Sequence, residues 1–600
     1  MAYSYENKDI VINGWENGIA DSPYSGISDI RNIDLISIPT EASVALATLP
    51  MVTQSSLQSQ SFTASAAGDG GILLTWAGGT ALANNTAVTF ATTGTLPTNL
   101  AVNKAYYVYN TTATTFQVSL NASSTPIAYV AAGSNSTFST IDMASPKIIT
   151  PYGYTDSGTT LYTYLYFCAD SMGRVWYYYA ATTQWIYLNN PYQNEARAGV
   201  VGTGNGQAIY RDFLFMFEYQ NINYIRVVSS SLTNTLAYLT TYTNWVQAWK
   251  GMTGPWIATN FPITISHSTV IDTSDTIYFC NTSFIGSIAR VSGQVFDPAT
   301  PATYTYNASA LSLPSYEVAQ CISVLGTNIL VGGQLNIAYN WDRVSIGYSP
   351  IYFSENSIVR IVSVNTNAFV FIGQRGRIYI TNGVSAQLFK KVPDHLSGQP
   401  NPYYTWGGAT FNRNQLYFGI QATTNAGVAI NQYGGLWALD LDSKALRLVN
   451  QLSFASYSGN VTALSSLGGL PTSDGYGLYI GWYTTIGGID KGSSSPYTGT
   501  QAYIDTDMIP IGQFLNKTTF NNVEWKLAVP LVSGESITLS YRTNISSAYT
   551  QFGTTNTVGA LSDFYLLNFD QVQWIQLRAQ ITSTATTPSF VRLKEIRIRT

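Results

Sequence analysis

One phrase, repeated along the chain, limits what it can fold into. From Ala368 to Lys390 it reads A-F-V-F-I-G-Q-R-G-R-I-Y-I-T-N-G-V-S-A-Q-L-F-K. Phe369, Phe371, Arg377, Tyr379 and Thr381 alternate with Val370, Ile372, Ile378 and Ile380, the period of two of strands whose side chains leave on opposite faces. Gly373 and Gly376 bracket one turn and Asn382-Gly383 makes another, so the segment predicts three short antiparallel strands. Leu165 to Tyr178 repeats the pattern, with Gly173-Arg174-Val175-Trp176 matching Gly376-Arg377-Ile378-Tyr379. Further variants begin at Ile209, Thr276, Asn328, Gln415 and Leu478. With Phe167, Phe215, Tyr278, Leu330, Val370, Tyr417 and Tyr479 as equivalent points, the spacing is roughly 40 to 63 residues. Propeller blades recur every 40 to 50 residues or so. The predicted fold class is all-β, with a β-propeller of about six or seven blades.

No long stretch carries the 3.6-residue apolar stripe of a helix, and Thr, Ser, Asn, Gly and Tyr fill the spaces between apolar runs. Only 10% of the residues are charged, against about 25% in an ordinary soluble domain. The surface must therefore be largely neutral and polar, and 43 tyrosines exceed what a core requires. Tyrosine offers apolar area with a polar tip and is enriched where proteins meet, so the composition is that of a chain living inside an assembly. A net charge of −4 argues against wrapping nucleic acid. It leaves room for a channel through which a duplex slides, because nonspecific affinity comes from cations neutralising phosphates.

Four regions follow from the patterning. Residues 1–49 hold Gly14, Gly18, Pro23 and Gly26 and read as an N-terminal arm that closes or pads the propeller, or docks on a neighbour. Residues 62–140 form a small β-domain almost without charge, inserted in the chain and displayed outward. Residues 147–499 carry the propeller. Residues 502–600 read as a C-terminal β-sandwich, through N-V-E-W-K-L-A-V and V-Q-W-I-Q-L-R-A-Q-I. The last strand, F-V-R-L-K-E-I-R-I-R-T, sets Val591, Leu593, Ile596 and Ile598 against Arg592, Lys594, Arg597 and Arg599, with one slip at Glu595. It is expected to be an edge strand with a solvated basic face, or one that meets an acidic partner.

No residue is assigned a catalytic, cofactor-binding or metal-ligating role, and no cofactor is expected. His267 and His395 are far apart and in no metal spacing, and Asp394 beside His395 is not an oriented base. There is no G-x-S-x-G elbow and no P-loop. Cys168, Cys280 and Cys321 are isolated and read as buried apolar residues. Asp170 to Trp176 resembles a sialidase Asp-box in its Asp, Gly and Trp. The glycine falls one place late, however, and the segment is read as a turn capped by Asp170. The runs Trp176-Tyr177-Tyr178-Tyr179 and Tyr403-Tyr404-Thr405-Trp406 either stack on sugars or bases or pack between blades. No apolar run approaches about 18 residues, so no membrane span is expected, and the polar start M-A-Y-S-Y-E-N-K-D lacks a secretory pattern.

Two stretches resemble proteins of tailed bacteriophages. Gly14 to Pro39, G-W-E-N-G-I-A-D-S-P-Y-S-G-I-S-D-I-R-N-I-D-L-I-S-I-P, looks like the start of phage structural proteins. Val88 to Ser119, with V-T-F-A-T-T-G-T-L-P, Y-Y-V and T-T-F-Q-V-S, resembles a small module inserted in many phage tail proteins. The plan of arm, propeller and β-domains is similar to the tail nozzle, or tail tubular protein B type, of short-tailed phages. That resemblance implies a non-enzymatic virion protein, assembled in the host cytoplasm. Copies of it, usually six, form a ring below portal and adaptor that extends the DNA ejection channel and holds it shut. The partners implied are further copies of itself, adaptor and fibre proteins, and double-stranded DNA in passage. Two other readings stand beside it, a receptor-binding or fibre-attachment protein and a propeller glycan hydrolase, which would need two carboxylates flanking a cleft.

Overall fold

A computed structural model describes residues 2–6, 9–13, 27–31, 33–34, 42–44, 46–50, 57–102, 104–120, 125–155, 162–172, 174–179, 184–188, 206–210, 213–218, 221–226, 268–296, 300–394, 402–450, 460–466, 477–484, 486–496, 502–510, 518–572, 574–583 and 591–599. Among them every regular element is a strand, apart from one short 3-10 turn at Pro301–Thr303. The chain is all-β.

Between residues 146 and 496 the strands fall into small antiparallel sheets that follow one another along the chain, at 146–188, 206–226, 269–312, 319–352, 358–391, 403–450 and 460–496. The first strand of each packs against the first strand of the next, and Asn460–Ser466 in the last returns to Pro146–Thr155 in the first. Hydrogen bonds stitch neighbours together. Ser323 and Ser363 hydroxyls meet at 2.7 Å, Trp406 Nε1 donates to the Ile372 carbonyl at 3.1 Å, and across the return contact the Tyr479 and Tyr166 hydroxyls meet at 2.6 Å.

The repeated phrase has a specific place in this arrangement. Phe167, Phe215, Tyr278, Leu330, Val370, Tyr417 and Tyr479 all fall on the second strand of their sheets. A second strand has a strand on each side and a sheet over each face, so its side chains are buried in both directions and the sequence runs apolar. In Asn367–Ile372 every residue from Ala368 onward is buried. The fourth strand, Ala386–Lys391, is half-exposed and reads more polar. Gly373 and Gly376 have positive φ, +61° and +67°, which the tight turn between second and third strands requires.

Strands from residues 1–49 are distributed over the rest of the molecule. Leu46–Pro50 pairs with Gly487–Pro496 as the outermost strand of the last sheet. Ile27–Arg31 lies between Leu446–Asn450, to which it is parallel, and Tyr503–Thr506, to which it is antiparallel, joining the 403–450 sheet to the C-terminal strands. Ala2–Glu6 and Asp9–Asn13 extend a second sheet through Arg592–Arg599, Thr518–Leu527 and Ser562–Val572. The two C-terminal sheets enclose Val523, Trp525, Ile596 and Ile598 against Ile537, Leu539, Ile575 and Leu577. That core runs without a break into Phe371, Trp406 and Trp437 of the small sheets.

The last strand corrects one expectation. Arg592–Arg599 is not an edge strand, because Asp9–Asn13 pairs along one side and Thr518–Leu527 along the other. Its slip at Glu595 is a register shift. Lys526 faces Glu595 but Leu527 faces Leu593, so one extra residue is accommodated as a bulge and Leu593 returns to the core. Arg599 and Arg597 are neutralised within the sheet: Arg599 binds Glu524 at 2.9 Å and Arg597 reaches Glu595 at 3.0 Å, which Lys526 of the neighbouring strand also reaches, at 3.4 Å.

Between Leu46–Pro50 and Pro146–Thr155 the chain makes a closed six-stranded barrel from strands lying within 60–140. Its interior is aromatic: Phe138 sits 4.9 Å from Phe116 and 5.5 Å from Trp76, centroid to centroid, both edge to face. The barrel is therefore inserted where the ring of sheets closes. Tyr107 donates to the Tyr187 carbonyl of the first sheet at 2.6 Å, and the exit segment is gripped by Arg174 on the Asp142 carbonyl and Gly487 N–H on that of Met143.

Candidate interaction surfaces

The structure places the chemically capable side chains mostly in structural roles. Cys168, Cys280 and Cys321 are free thiols and buried, and burial pushes all three up, Cys321 to about 12. A thiol held that high supplies almost no thiolate. Among the described residues no three His, Cys, Asp or Glu side chains gather as metal ligands would. His267 and His395 lie outside the described residues. In the aromatic runs Trp176, Tyr177, Tyr404 and Trp406 are buried. Tyr404 packs edge to face on Tyr433 at 5.2 Å and Trp176 packs tilted on Tyr187 at 5.4 Å, each pair within its own sheet, while Trp406 meets Phe371 of the neighbouring sheet edge to face at 5.2 Å.

Asp170 ends the strand Tyr162–Asp170 fully buried. Its Oδ1 accepts the N–H groups of Met172 and Arg174 at 2.9 and 3.0 Å, and its Oδ2 accepts Ala144 N–H and Trp176 Nε1–H at 3.1 and 3.0 Å. Both oxygens are thus spent on holding a turn, a core tryptophan and the barrel's exit segment. Burial lifts the carboxyl above the ordinary carboxylate range, against the Arg174 charge and the donors that favour the anion. The native state therefore keeps this proton where the unfolded chain has lost it. The group's contribution to stability is full below pH of about 4 and declines as pH rises through the raised native value. Asp170→Asn presents an NH2 group to one pair of donors, so it is expected to cost about 2–4 kcal/mol at neutral pH and to remove that pH dependence. Urea unfolding of both proteins between pH 4 and 7 measures this, and equal stability at pH 7 would refute the role.

A different surface gathers exposed aliphatic side chains. In a four-stranded antiparallel sheet the turn between strands one and two lies at the same end as the turn between strands three and four. On that rim Arg343, from the third turn of the 319–352 sheet, is bound to Asp272 and Ser274, in the first turn of the 269–312 sheet. Asn340 Nδ2 donates to the Gly383 carbonyl in the third turn of the 358–391 sheet at 2.8 Å. Two of these third turns share one design. Asp342 Oδ1 accepts the N–H groups of Val344 and Ser345, and Asn382 Oδ1 accepts those of Val384 and Ser385. The capped turn fixes the backbone and points its valine outward. Val295, Val344, Ile346 and Val384 on this rim are 86, 90, 98 and 79% exposed. D-R-V-S and N-G-V-S, 40 residues apart, carry the signal in the sequence. Only the second reads as a turn in the sequence, because Asp342 lacks a following glycine.

A third constellation joins the small sheets to the C-terminal ones. Arg578 holds the buried Asp505 in two parallel bonds, Nε to Oδ1 at 2.6 Å and an amino group to Oδ2 at 2.7 Å. The guanidinium lies over the Tyr503 and Tyr549 rings at 3.9 and 4.1 Å. Tyr503 in turn donates to Asp29 Oδ2 at 3.1 Å, on the strand Ile27–Arg31 from the other end of the chain. Burial opposes the Arg578 charge, but the Asp505 carboxylate outweighs it and holds the guanidinium protonated. This is a mechanical joint between three segments distant in sequence.

No protein-family model matches the sequence, and no curated protein does. Among solved structures the chain is similar to PorZ, an essential bacterial surface component of the type-IX secretion system of Porphyromonas gingivalis. The identity is 12% and the TM-score 0.32, over 70% of this chain and 48% of PorZ, so the chain spans about half of that structure's length. It is similar to U3-55K at 10% identity and TM-score 0.36, over 58% of this chain and 95% of that one. The structure of YCF48 bound to D1 peptide is similar at 6% identity and TM-score 0.34, over 59 and 96% of the two chains. Likenesses this distant say nothing of function.

Proposed function

We propose that this chain is a non-enzymatic structural protein of a tailed-bacteriophage virion, a tail nozzle or neck-end subunit built on a seven-bladed β-propeller. It acts as one member of a homo-oligomeric ring that extends the DNA ejection channel and closes it until ejection. The observation that carries this reading is the rim of Val295, Val344, Ile346 and Val384, four aliphatic side chains on braced turns of three adjacent sheets. Aliphatic tips so exposed on a surface with few charges are kept where another protein covers them. The chain's net charge of −4 suits a channel that lets a duplex pass without holding it. The virion identity rests on the resemblance of Gly14 to Pro39 and Val88 to Ser119 to phage proteins. Adaptor and fibre proteins are the other partners of this reading, and the host cytoplasm is where the ring assembles.

The test is mass photometry of the purified chain, followed by cryo-electron microscopy of particles in which it is located. A closed ring on the tail axis is the expected result. A monomer in solution together with no density on the axis would overturn the reading. The fibre-attachment alternative is favoured by one feature, the barrel with its own closed core. It predicts separate copies at the tail periphery, with the barrel outermost.

A further inference from the structure

Among the described residues the sheet that contains Ala2–Glu6 and Arg592–Arg599 has two long open edges, beside a short branch in which Ala42–Val44 pairs the start of Arg592–Arg599 and Ile33–Asp34 pairs Ala42–Val44. Its order is Ala2–Glu6, Asp9–Asn13, Arg592–Arg599, Thr518–Leu527, Ser562–Val572. Among the described residues Ala2–Glu6 pairs only with Asp9–Asn13, and Ser562–Val572 only with Thr518–Leu527. The second edge is 11 residues long and reads S-D-F-Y-L-L-N-F-D-Q-V, with no proline, lysine or arginine. Natural proteins blunt such edges with those residues or cover them. Here large apolar side chains are exposed instead: Phe564 and Leu566 are 60 and 77% exposed, and Val558 and Leu561 just before them are also exposed. Phe564 lies beside Glu524 and Leu566 beside Asn522. They therefore continue the outer face that holds the neutralised pairs Arg599–Glu524 and Arg597–Glu595. An apolar margin beside self-neutralised charges is a surface prepared for burial.

We infer that Ser562–Val572 of one copy is covered by Ala2–Glu6 of the next, by strand addition, and that this pairing links neighbours in the ring. The inference rests on the homo-oligomeric reading given above. A second copy is the occupant because every copy brings one long edge of each kind, and joining unlike edges head to tail satisfies both at once and gives a ring where the rotation closes. Pairing Ser562–Val572 with itself would leave both Ala2–Glu6 edges bare. The geometry adds a detail. Four antiparallel steps separate the two edge strands, so they run in the same direction. Copies related by rotation alone therefore join them in parallel, inside an otherwise antiparallel sheet.

Cysteine pairing tests this directly, since the native thiols are buried. Ser4→Cys with Leu566→Cys, treated with a flexible bismaleimide, is expected to give a ladder of covalent oligomers up to the full ring. Each single variant is expected to stay uncrosslinked. Phe564→Lys with Leu566→Lys changes only exposed positions, so the melting temperature should hold while the concentration for half-assembly rises about tenfold or more. A ring that forms in the double-lysine variant as readily as in the native chain, and yields no ladder in the double-cysteine variant, would overturn this pairing and leave the ring standing. Dimers from Leu566→Cys alone would overturn it in favour of like edges. A native chain that is monomeric throughout would remove the ring itself.

Discussion

A chain lacking residues 1–50 should fail to reach a cooperative native state. The deletion removes Leu46–Pro50 from the last small sheet, Ile27–Arg31 from the joint, and Asp9–Asn13 from beside Arg592–Arg599. Ile10, Val11 and Ile12 are all buried, and their burial alone is worth about 1.5–3 kcal/mol each. Beyond that, four interior strands, Gly487–Pro496, Leu446–Asn450, Tyr503–Thr506 and Arg592–Arg599, become open edges. A stability of about 5–15 kcal/mol is typical of a whole native protein, so the loss consumes most or all of it. Calorimetry and near-ultraviolet circular dichroism of the truncated chain measure the outcome. A single sharp transition within a few degrees of the full chain would show that these strands merely decorate a frame that stands without them.

Asp505→Ala should be the most damaging single change at the joint. It leaves the Arg578 guanidinium between Tyr503 and Tyr549 without its carboxylate; an uncompensated buried charge costs about 3–5 kcal/mol, and because the Arg578 side chain is 26% exposed the loss here should fall at or below the lower end of that range. Arg578→Met should cost a similar amount by stranding Asp505. The double variant Asp505→Leu with Arg578→Met should recover most of the loss, because an apolar pair of similar volume avoids desolvating two ions. A thermodynamic cycle over the four proteins therefore expects strong non-additivity. If the two single losses simply summed in the double variant, the pair would be two independent packing residues and not a clamp.

The sequence announced the small sheets through their second strands, which are covered on both faces and read as apolar runs such as T-I-Y-F-C-N and L-Y-I-G-W-Y. First and fourth strands are half-exposed, so their pattern is diluted. The place of Arg592–Arg599 was misread for a different reason. Its alternation shows one wet face, which is the same whether a strand is central or at an edge. The strand that covers it, D-I-V-I-N, lies nearly 600 residues away in the chain. Long-range pairing leaves no local mark. The Asp505–Arg578 joint was equally hidden, because three common residue types on three separate strands acquire meaning only when the sheet brings them together. The valine rim was legible in half, through Asn382-Gly383.

The pairing of Leu49 with Lys491 has a consequence for how the molecule is made. The ring of sheets is fastened by a strand synthesised early against one synthesised about 440 residues later. At about 5–20 residues per second, translation separates the two by about 20–90 s. During that interval the nascent chain carries Leu46–Pro50 without its partner strand, and the barrel of 60–140, whose contacts are local, can close long before the frame on which it is mounted. The final fastening then closes a loop of very high sequence separation, the slow kind of step. The frame therefore cannot be fastened co-translationally in its early part: whatever the sheets of 146–450 form on the ribosome stays unfastened until residues 487–496 have been made.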